Sequence, residues 1–581
     1  MSSNLNSLRY HMNKHNISAV IIPTADMHLS EYISEHYKLR EYISGFTGSA
    51  GTLVVSSNDA GLWTDGRYYI QAEKELKGSG IRLFKASEGD CQKIHEFLKE
   101  TLEDGETIGV DGRLFSRKQL SELISKLKKN PFNTKYDPSA VWKNRPAAPV
   151  EKAFILDKKY SGEDVGVKLK KVREQMKSGS FTHYLTCMPE CIMWLLNIRG
   201  KDVVHTPVVL SYLLMTDSSV TIYVDKRKIT EDVSQYFKMN NIKVADYEKV
   251  FEDVSSLNEK AYLATDFSMT NYALTENVHC AVKDVRDFIY NLKCVKNDVE
   301  VENIKKAYVM ENIALTKAFY EIYNTENLDE CDVVDIIEKH RRKYSGYYSP
   351  AFDTIAAFGA NAAMMHYSPE KSHCAKVGKS GFLLIDTGGQ YFEGTTDTTR
   401  TLAMGNISDE MKEHFTLVLK SHIAIAASVF PDGTRCCELD ALARTPLWKK
   451  GIDYRCSTGH GVGYMLGVHE GPQRLSGKCD EKLLCNMTVT DEPGVYVEGK
   501  FGIRTENHLC VKNAFETEYG RFLCFEVLNF CPVGTAAIMP ELLSRDEMQW
   551  VNEYNCTCRR LILPYLTEEE AIWMQEYTKE I

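Results

Sequence analysis

The sequence predicts a multidomain α/β protein, and three observations carry that expectation. At 581 residues the chain is longer than one hydrophobic core organises, so two to four domains are expected. Two successive regions alternate short apolar runs with amphipathic stretches, the rhythm of α/β units. They are followed from Val299 by a long stretch of helical periodicity and then by Gly- and Thr-rich segments with strand character.

Taken in order, Ala19-Val20-Ile21-Ile22 reads as a strand and Tyr68 to Leu76 as an amphipathic helix. The first region closes near residue 145, where Asn144-Arg145-Pro146-Ala147-Ala148-Pro149 reads as a linker. In the second region Val165 to Met176 has helical spacing, while His183 to Thr186, Val208 to Met215 and Val220 to Val224 are strand-like. Its end is expected near residue 292, giving domains 1–145, 146–292 and 293–581. The third opens with a helix from Val299 to about Tyr323, and every residue with metal-binding promise lies beyond it.

Composition excludes several classes. Hydrophobic residues at 43% and charged residues at 26% are those of a folded globular protein. A net charge of −10 argues against a nucleic-acid partner. No apolar run approaches the roughly 20 residues that span a bilayer, and the N-terminus lacks a signal-peptide pattern, so a cytoplasmic protein with no membrane association is expected. The 17 cysteines are mostly scattered singly, as reduced thiols are. Cys556-Thr557-Cys558 has no second Cys or His group beside it to complete a zinc site.

Five residues stand out in the last 200 positions: Asp386, Asp397, His460, Glu492 and Glu506. Their contexts are Ile385-Asp386-Thr387-Gly388-Gly389, Thr395-Thr396-Asp397-Thr398-Thr399-Arg400, Gly459-His460-Gly461-Val462-Gly463, Asp491-Glu492-Pro493-Gly494 and Ile503-Arg504-Thr505-Glu506-Asn507. Four carboxylates and one imidazole suit a pair of hard or borderline divalent ions. Asp386 and Asp397 flank a turn between two strands, Gly499-Lys500 turns the chain between the segments bearing Glu492 and Glu506, and His460 is expected on a loop to which its glycines give backbone freedom. Taken singly, each is an ordinary surface acid or turn histidine.

The ordered set with its flanks resembles the pita-bread metallopeptidases, a group with methionine aminopeptidase, prolidase and aminopeptidase P. Gly459 to Gly463, Val468-His469-Glu470-Gly471-Pro472 and Asp491 to Tyr496 are similar to the aminopeptidase P and prolidase branch. Ser44 to Gly51, Leu62 to Tyr69 and Trp194 to Gly200 resemble the N-terminal half of the long cytosolic aminopeptidases P. The resemblance implies two related creatinase-like α/β domains before an α+β pita-bread catalytic domain. It also implies two divalent ions, Mn2+ foremost, with Asp397 and Glu506 bridging, Asp386 completing one site, and His460 and Glu492 the other. Hydrolysis of the bond before a proline at position two, by a hydroxide held between the ions, would follow, as would a homodimer.

By the same resemblance Glu492 shuttles a proton, His366 and His469 hydrogen-bond the substrate peptide group, and Arg504 pairs with metal-binding carboxylates. One position departs from the pattern: Cys456 stands where many aminopeptidases P carry a substrate-facing histidine, which puts rate and pH profile in doubt while sparing the ligands. Prolidase uses the same ligands, but the first 290 residues resemble the longer enzymes. A non-catalytic peptide-binding relative is the other alternative, and such relatives usually lose ligands that this chain retains.

Overall fold

Strand Ala19–Pro23 lies inside a six-stranded sheet whose order is Arg82–Lys85, Ala60–Thr64, Thr52–Ser56, Ala19–Pro23, Ile108–Gly109, Phe132–Asn133. A second six-stranded sheet has the order Ile242–Ala245, Val220–Val224, Ser211–Thr216, His183–Thr186, Tyr262–Thr265, Ala281–Asp284. Strand directions match position by position: in each order the second, third and fourth strands pair antiparallel in succession, and the pairings on either side of them are parallel. The two sheets are therefore copies of one topology. The structure, a computed structural model, describes residues 3–372 and 374–581.

Both sheets belong to one unit, Met1–Asp157 with Glu163–Asn291, and the remainder, Lys158–Gly162 with Leu292–Ile581, forms another. The expected elements are present with shifted edges. The strand read from Val208 begins at Ser211, because the Leu210 amide donates to the buried Asp202 carboxylate at 2.8 Å instead of to a ladder partner.

The second unit opens with the helix Asp298–Asn324. Asn297 caps it reciprocally with Glu300, each side chain accepting from the other's amide at 3.0 and 2.9 Å, worth about 1 kcal/mol. The Asn297 side chain also donates to Ser161 at 3.0 Å, and Asn303 to Lys159 at 2.9 Å, which ties residues 158–162 to this unit. The helix buries Val301, Ile304, Tyr308, Leu315 and Phe319.

Beyond it, Ile355–Phe358, Ser380–Thr387 and Thr398–Gly405 form one antiparallel sheet, and Val429–Pro431, Gly520–Val527, Asn507–Thr517 and Thr488–Asp491 another. Two hairpin-like pairs, Gly459–Gly461 with Glu470–Leu475 and Gly494–Val497 with Phe501–Arg504, complete the frame. Helix Arg545–Ile562 buries Val551, Tyr554, Cys558 and Ile562 in a core shared with Phe382, Val495 and Ile503, and Met574 of the last helix, Glu568–Tyr577, joins the same core. The tail thus packs on this unit. All 17 cysteines are free thiols. Cys556 is exposed and Cys558 buried, as two-residue spacing on a helix requires, so they do not share a metal. Among the described residues no helix is long and apolar enough to cross a membrane.

Candidate metal centre

Register places the first two carboxylates. Strands Ser380–Thr387 and Thr398–Gly405 pair so that Asp386 faces Thr399, and Asp397 immediately precedes that partner strand. Between them the chain makes a small excursion, Gly389–Tyr391 against Gly394–Thr395. Gly388 has no room for a side chain, since a Cβ there would overlap the Thr396 carbonyl. The Asp397 amide is pinned from the long helix, donating to Tyr308 Oη at 3.0 Å.

The second pair of carboxylates arrives by a parallel device. Asp491 pairs with Asn507, which leaves Glu492 and Glu506 at adjoining strand ends, and Gly499 at φ 73° lets the chain return from Val497 to Phe501. Glu506 is fixed by Thr399, whose Oγ1 donates to Oε2 at 2.7 Å and whose carbonyl accepts the Glu506 amide at 3.1 Å.

His460 is on a strand, not on the flexible loop expected from its glycines. Gly459 and Gly461 do not adopt positive φ. They are glycine because a Cβ on Gly459 would strike the Thr490 carbonyl, and one on Gly461 the Glu470 carbonyl. Close packing, not backbone freedom, explains the Gly-His-Gly pattern. His460 Nδ1 donates to the Gly461 carbonyl at 2.9 Å, which turns Nε2 toward the carboxylates, 3.5 Å from Asp397 Oδ2 and 3.4 Å from Glu492 Oε1. A metal would take Nε2 in its deprotonated form, with Nδ1 held by the carbonyl.

Ligand-type atoms of Asp397, His460 and Glu506 all lie within 4.8 Å of one another, a spacing one ion can satisfy. Glu492 joins through His460, and Asp386 through Arg504, whose Nη2 donates to Asp386 Oδ2. All five expected residues are therefore gathered at one place. Burial, then the charges of Asp386 and Glu492, push Asp397 well above the usual carboxylate range. Burial, then Asp397, does the same to Glu506, and burial followed by Asp386 raises Glu492 to about 7. Buried carboxylates that raise one another, with Asp386 Oδ1 lacking any hydrogen bond, form a donor set short of positive charge. Divalent cations fit that deficit, with four oxygen donors and one nitrogen.

Of the remaining sequence candidates, Arg504 and His469 touch this cluster. Arg504 is buried, its Nε donating to Thr399 Oγ1 at 3.1 Å and its Nη1 to Tyr496 Oη at 2.6 Å. The His469 ring stands edge-on to His460, with centroids 4.3 Å apart. His366, half-buried, occupies the turn after Gly359–Ala363, a segment packed so tightly on Gly502 that a Cβ there would overlap the Ala362 carbonyl. Cys456 packs beside Tyr496, and burial with the nearby Glu492 charge pushes its thiol up to about 12.

Several supporting residues were not singled out in the sequence. Thr399 serves Glu506 and Arg504 at once, and Thr490 Oγ1 receives the His460 amide at 3.1 Å. His422 lies under the ligand strands, 3.0 Å from Asp491 and 3.1 Å from Asn507, the neighbours of Glu492 and Glu506. The Thr-rich flanks of Asp397 were the available signal for Thr399; Tyr308 and His422 carry none, being distant in sequence.

Fold and centre together define a metallopeptidase, and residues 302–513 match metallopeptidase family M24. Residues 4–137 and 144–300 match creatinase/prolidase N-terminal domains, and 521–581 the C-terminal region of peptidase M24. The chain is 38% identical to aminopeptidase P2 of Arabidopsis thaliana over 96% of its own length and 85% of that protein. It is 36% identical to a probable Xaa-Pro aminopeptidase P of Talaromyces marneffei, over 100% and 92%. Among solved structures, the X-prolyl aminopeptidase of Caenorhabditis elegans, described as a cytosolic enzyme with a di-nuclear active site, superposes with a TM-score of 0.94 at 30% identity, covering 100% of this chain and 99% of that one. A prolidase from Pyrococcus horikoshii covers 64% of this chain at 26% identity and a TM-score of 0.51. The chain belongs to the Xaa-Pro aminopeptidase P family of M24 metallopeptidases.

Proposed function

We propose that the protein removes the N-terminal residue from peptides with proline at the second position, using two divalent ions, Mn2+ in the first instance. The observation that carries this reading is the convergence of Asp397, His460 and Glu506 within 4.8 Å, with Glu492 Oε1 3.4 Å from His460. Family membership and the di-nuclear site of the C. elegans relative support two ions. Asp397 and Glu506 would bridge them, Asp386 would complete one site, and His460 and Glu492 the other. Bound there, the ions would acidify water and polarise the scissile carbonyl.

The other residues supply orientation and proton transfer. Glu492 would take a proton from the attacking water and pass it to the leaving nitrogen. His469 and His366 would donate hydrogen bonds to the substrate peptide group. Arg504 anchors Asp386 and, through Thr399, the Glu506 side. Proline at position two removes an amide N–H that general aminopeptidases use, so a dedicated pocket is needed.

The division into domains 1–145, 146–292 and 293–581 belongs to the same proposal, supported by the two sheets of matching topology and by the family matches. So do a homodimer and a cytosolic location, the latter supported by the description of the C. elegans enzyme. The test is to incubate metal-free protein, with and without Mn2+, with an Xaa-Pro-Yaa tripeptide and an Xaa-Pro dipeptide, and to identify products by mass spectrometry. Mn2+-dependent release of Xaa from the tripeptide is expected. Cleavage of the dipeptide alone would replace the proposal with a prolidase activity, and no cleavage at confirmed metal occupancy would refute it.

A further inference from the structure

A second cluster of metal-ligating side chains lies apart from the carboxylate centre, where helix Glu330–Arg341 begins. Segments 328–330 and 375–377 run antiparallel. The Glu330 amide donates to the Ala375 carbonyl at 3.1 Å, the Val377 amide to the Leu328 carbonyl at 2.9 Å, and Asp329 bridges Lys376. Cys331 follows in the first turn of the helix, and Cys374 immediately precedes the paired segment on the other side. Asp329, two residues before Cys331, adds its carboxylate, and the ligand-type atoms of all three residues lie within 4.8 Å of one another.

We propose that Asp329, Cys331 and Cys374 bind a thiophilic divalent cation of the Zn2+ class, at a site separate from the peptidase centre. Two sulfurs select a softer ion than the oxygen-rich centre does. All three residues are partly exposed, so an ion has an entry path and solvent can complete a tetrahedral shell. Asp329 keeps acceptor capacity: its Oδ1 takes the Asp332 amide at 3.0 Å and its Oδ2 the Lys376 ammonium at 2.9 Å, two of about four lone-pair positions. A metal binds cysteine as thiolate, so forming the metal–sulfur bonds releases thiol protons to solvent.

The site has a structural consequence. Glu330, fully buried beside it, accepts from Asn361 Nδ2 at 3.0 Å, Tyr367 Oη at 2.7 Å and the Ala375 amide at 2.7 Å. An ion on Asp329, Cys331 and Cys374 would fix the C-terminal end of the segment that carries His366 next to Glu330, a consequence that rests on the peptidase reading, whereas the site itself does not.

The test uses full-length protein reduced with a phosphine, its carboxylate centre saturated with Mn2+, and titrated with Co2+. A thiolate-to-cobalt charge-transfer band in the near ultraviolet at one equivalent is expected, because the peptidase centre has no sulfur ligand. The band should be displaced by Zn2+, lost in C331S and C374S, and retained in C456S. D329N keeps the helix cap and should weaken Co2+ binding severalfold. Absence of the band with both thiols titrated as reduced, its survival in C331S and C374S, or its loss in C456S would each overturn the proposal. The readout is optical, so failure of peptide cleavage leaves it unaffected.

Discussion

Arg504 Nη2 donates to Asp386 Oδ2 at 2.5 Å, and the same guanidinium reaches Thr399 Oγ1 at 3.1 Å and Tyr496 Oη at 2.6 Å. A single planar cation therefore spans three partners around a cluster of four acids. Lysine cannot reproduce this fork, since its ammonium is a point donor on a flexible stem. R504K is expected to keep the fold but lose about a hundredfold or more in kcat, as misplaced catalytic groups do. R504M leaves Asp386 buried without its partner and should destabilise the metal-free protein by about 3–5 kcal/mol. Tripeptide kinetics and urea unfolding measure the two effects. Wild-type kcat in R504K would show that the fork does not order the centre.

Tyr308 joins the long helix to the metal centre through one hydroxyl, which accepts the Asp397 amide at 3.0 Å and lies 2.9 Å from His508 Nδ1. Removing it in Y308F orphans a buried backbone donor, a loss of about 1–3 kcal/mol. Because that donor belongs to a proposed bridging ligand, Mn2+ affinity should weaken alongside stability. Calorimetric titration of Y308F with Mn2+ checks this, and unchanged affinity in a destabilised variant would confine Tyr308 to a role in folding.

The sequence made the ligands legible because each sits in a short context that local geometry demands: strand ends for Asp386, Asp397, Glu492 and Glu506, and glycines around His460. The reason for those glycines was misread, since their constraint comes from the Thr490 and Glu470 carbonyls of strands distant in sequence. The same distance hid Tyr308 and His422, which reach the centre from helices with no local motif. The periodic elements of the N-terminal half were plain, whereas the start of the strand at Ser211 depended on Asp202 capturing the Leu210 amide, a tertiary event.

The glycine reading has a direct test. G459A places a methyl group against the Thr490 carbonyl in a buried, paired strand. The expected cost is about 1–3 kcal/mol from overpacking, and the shift of His460 should lower Mn2+ affinity and activity together. A loop glycine needed only for flexibility would tolerate alanine, so a G459A protein with normal melting temperature and activity would restore that explanation.

Metal removal should invert the pH dependence of stability. Glu492 is raised to about 7 in the folded protein, against about 4.3 for an unfolded glutamate, and Asp397 and Glu506 are raised as well. A carboxyl whose folded pKa lies above its unfolded value binds its proton more tightly in the native state. Its contribution is fully present below the unfolded pKa and is lost as pH rises through the folded one. The metal-free protein should therefore lose melting temperature between about pH 5 and 8, as Glu492 ionises beside Asp386. Cations reverse the sign by displacing those protons, so Mn2+ affinity and the stabilisation by added Mn2+ should rise over the same window. Thermal melts of chelator-treated protein with and without Mn2+ measure both arms. A metal-free melting temperature that holds constant or rises across the window would mean that the carboxylates do not repel one another as this geometry requires.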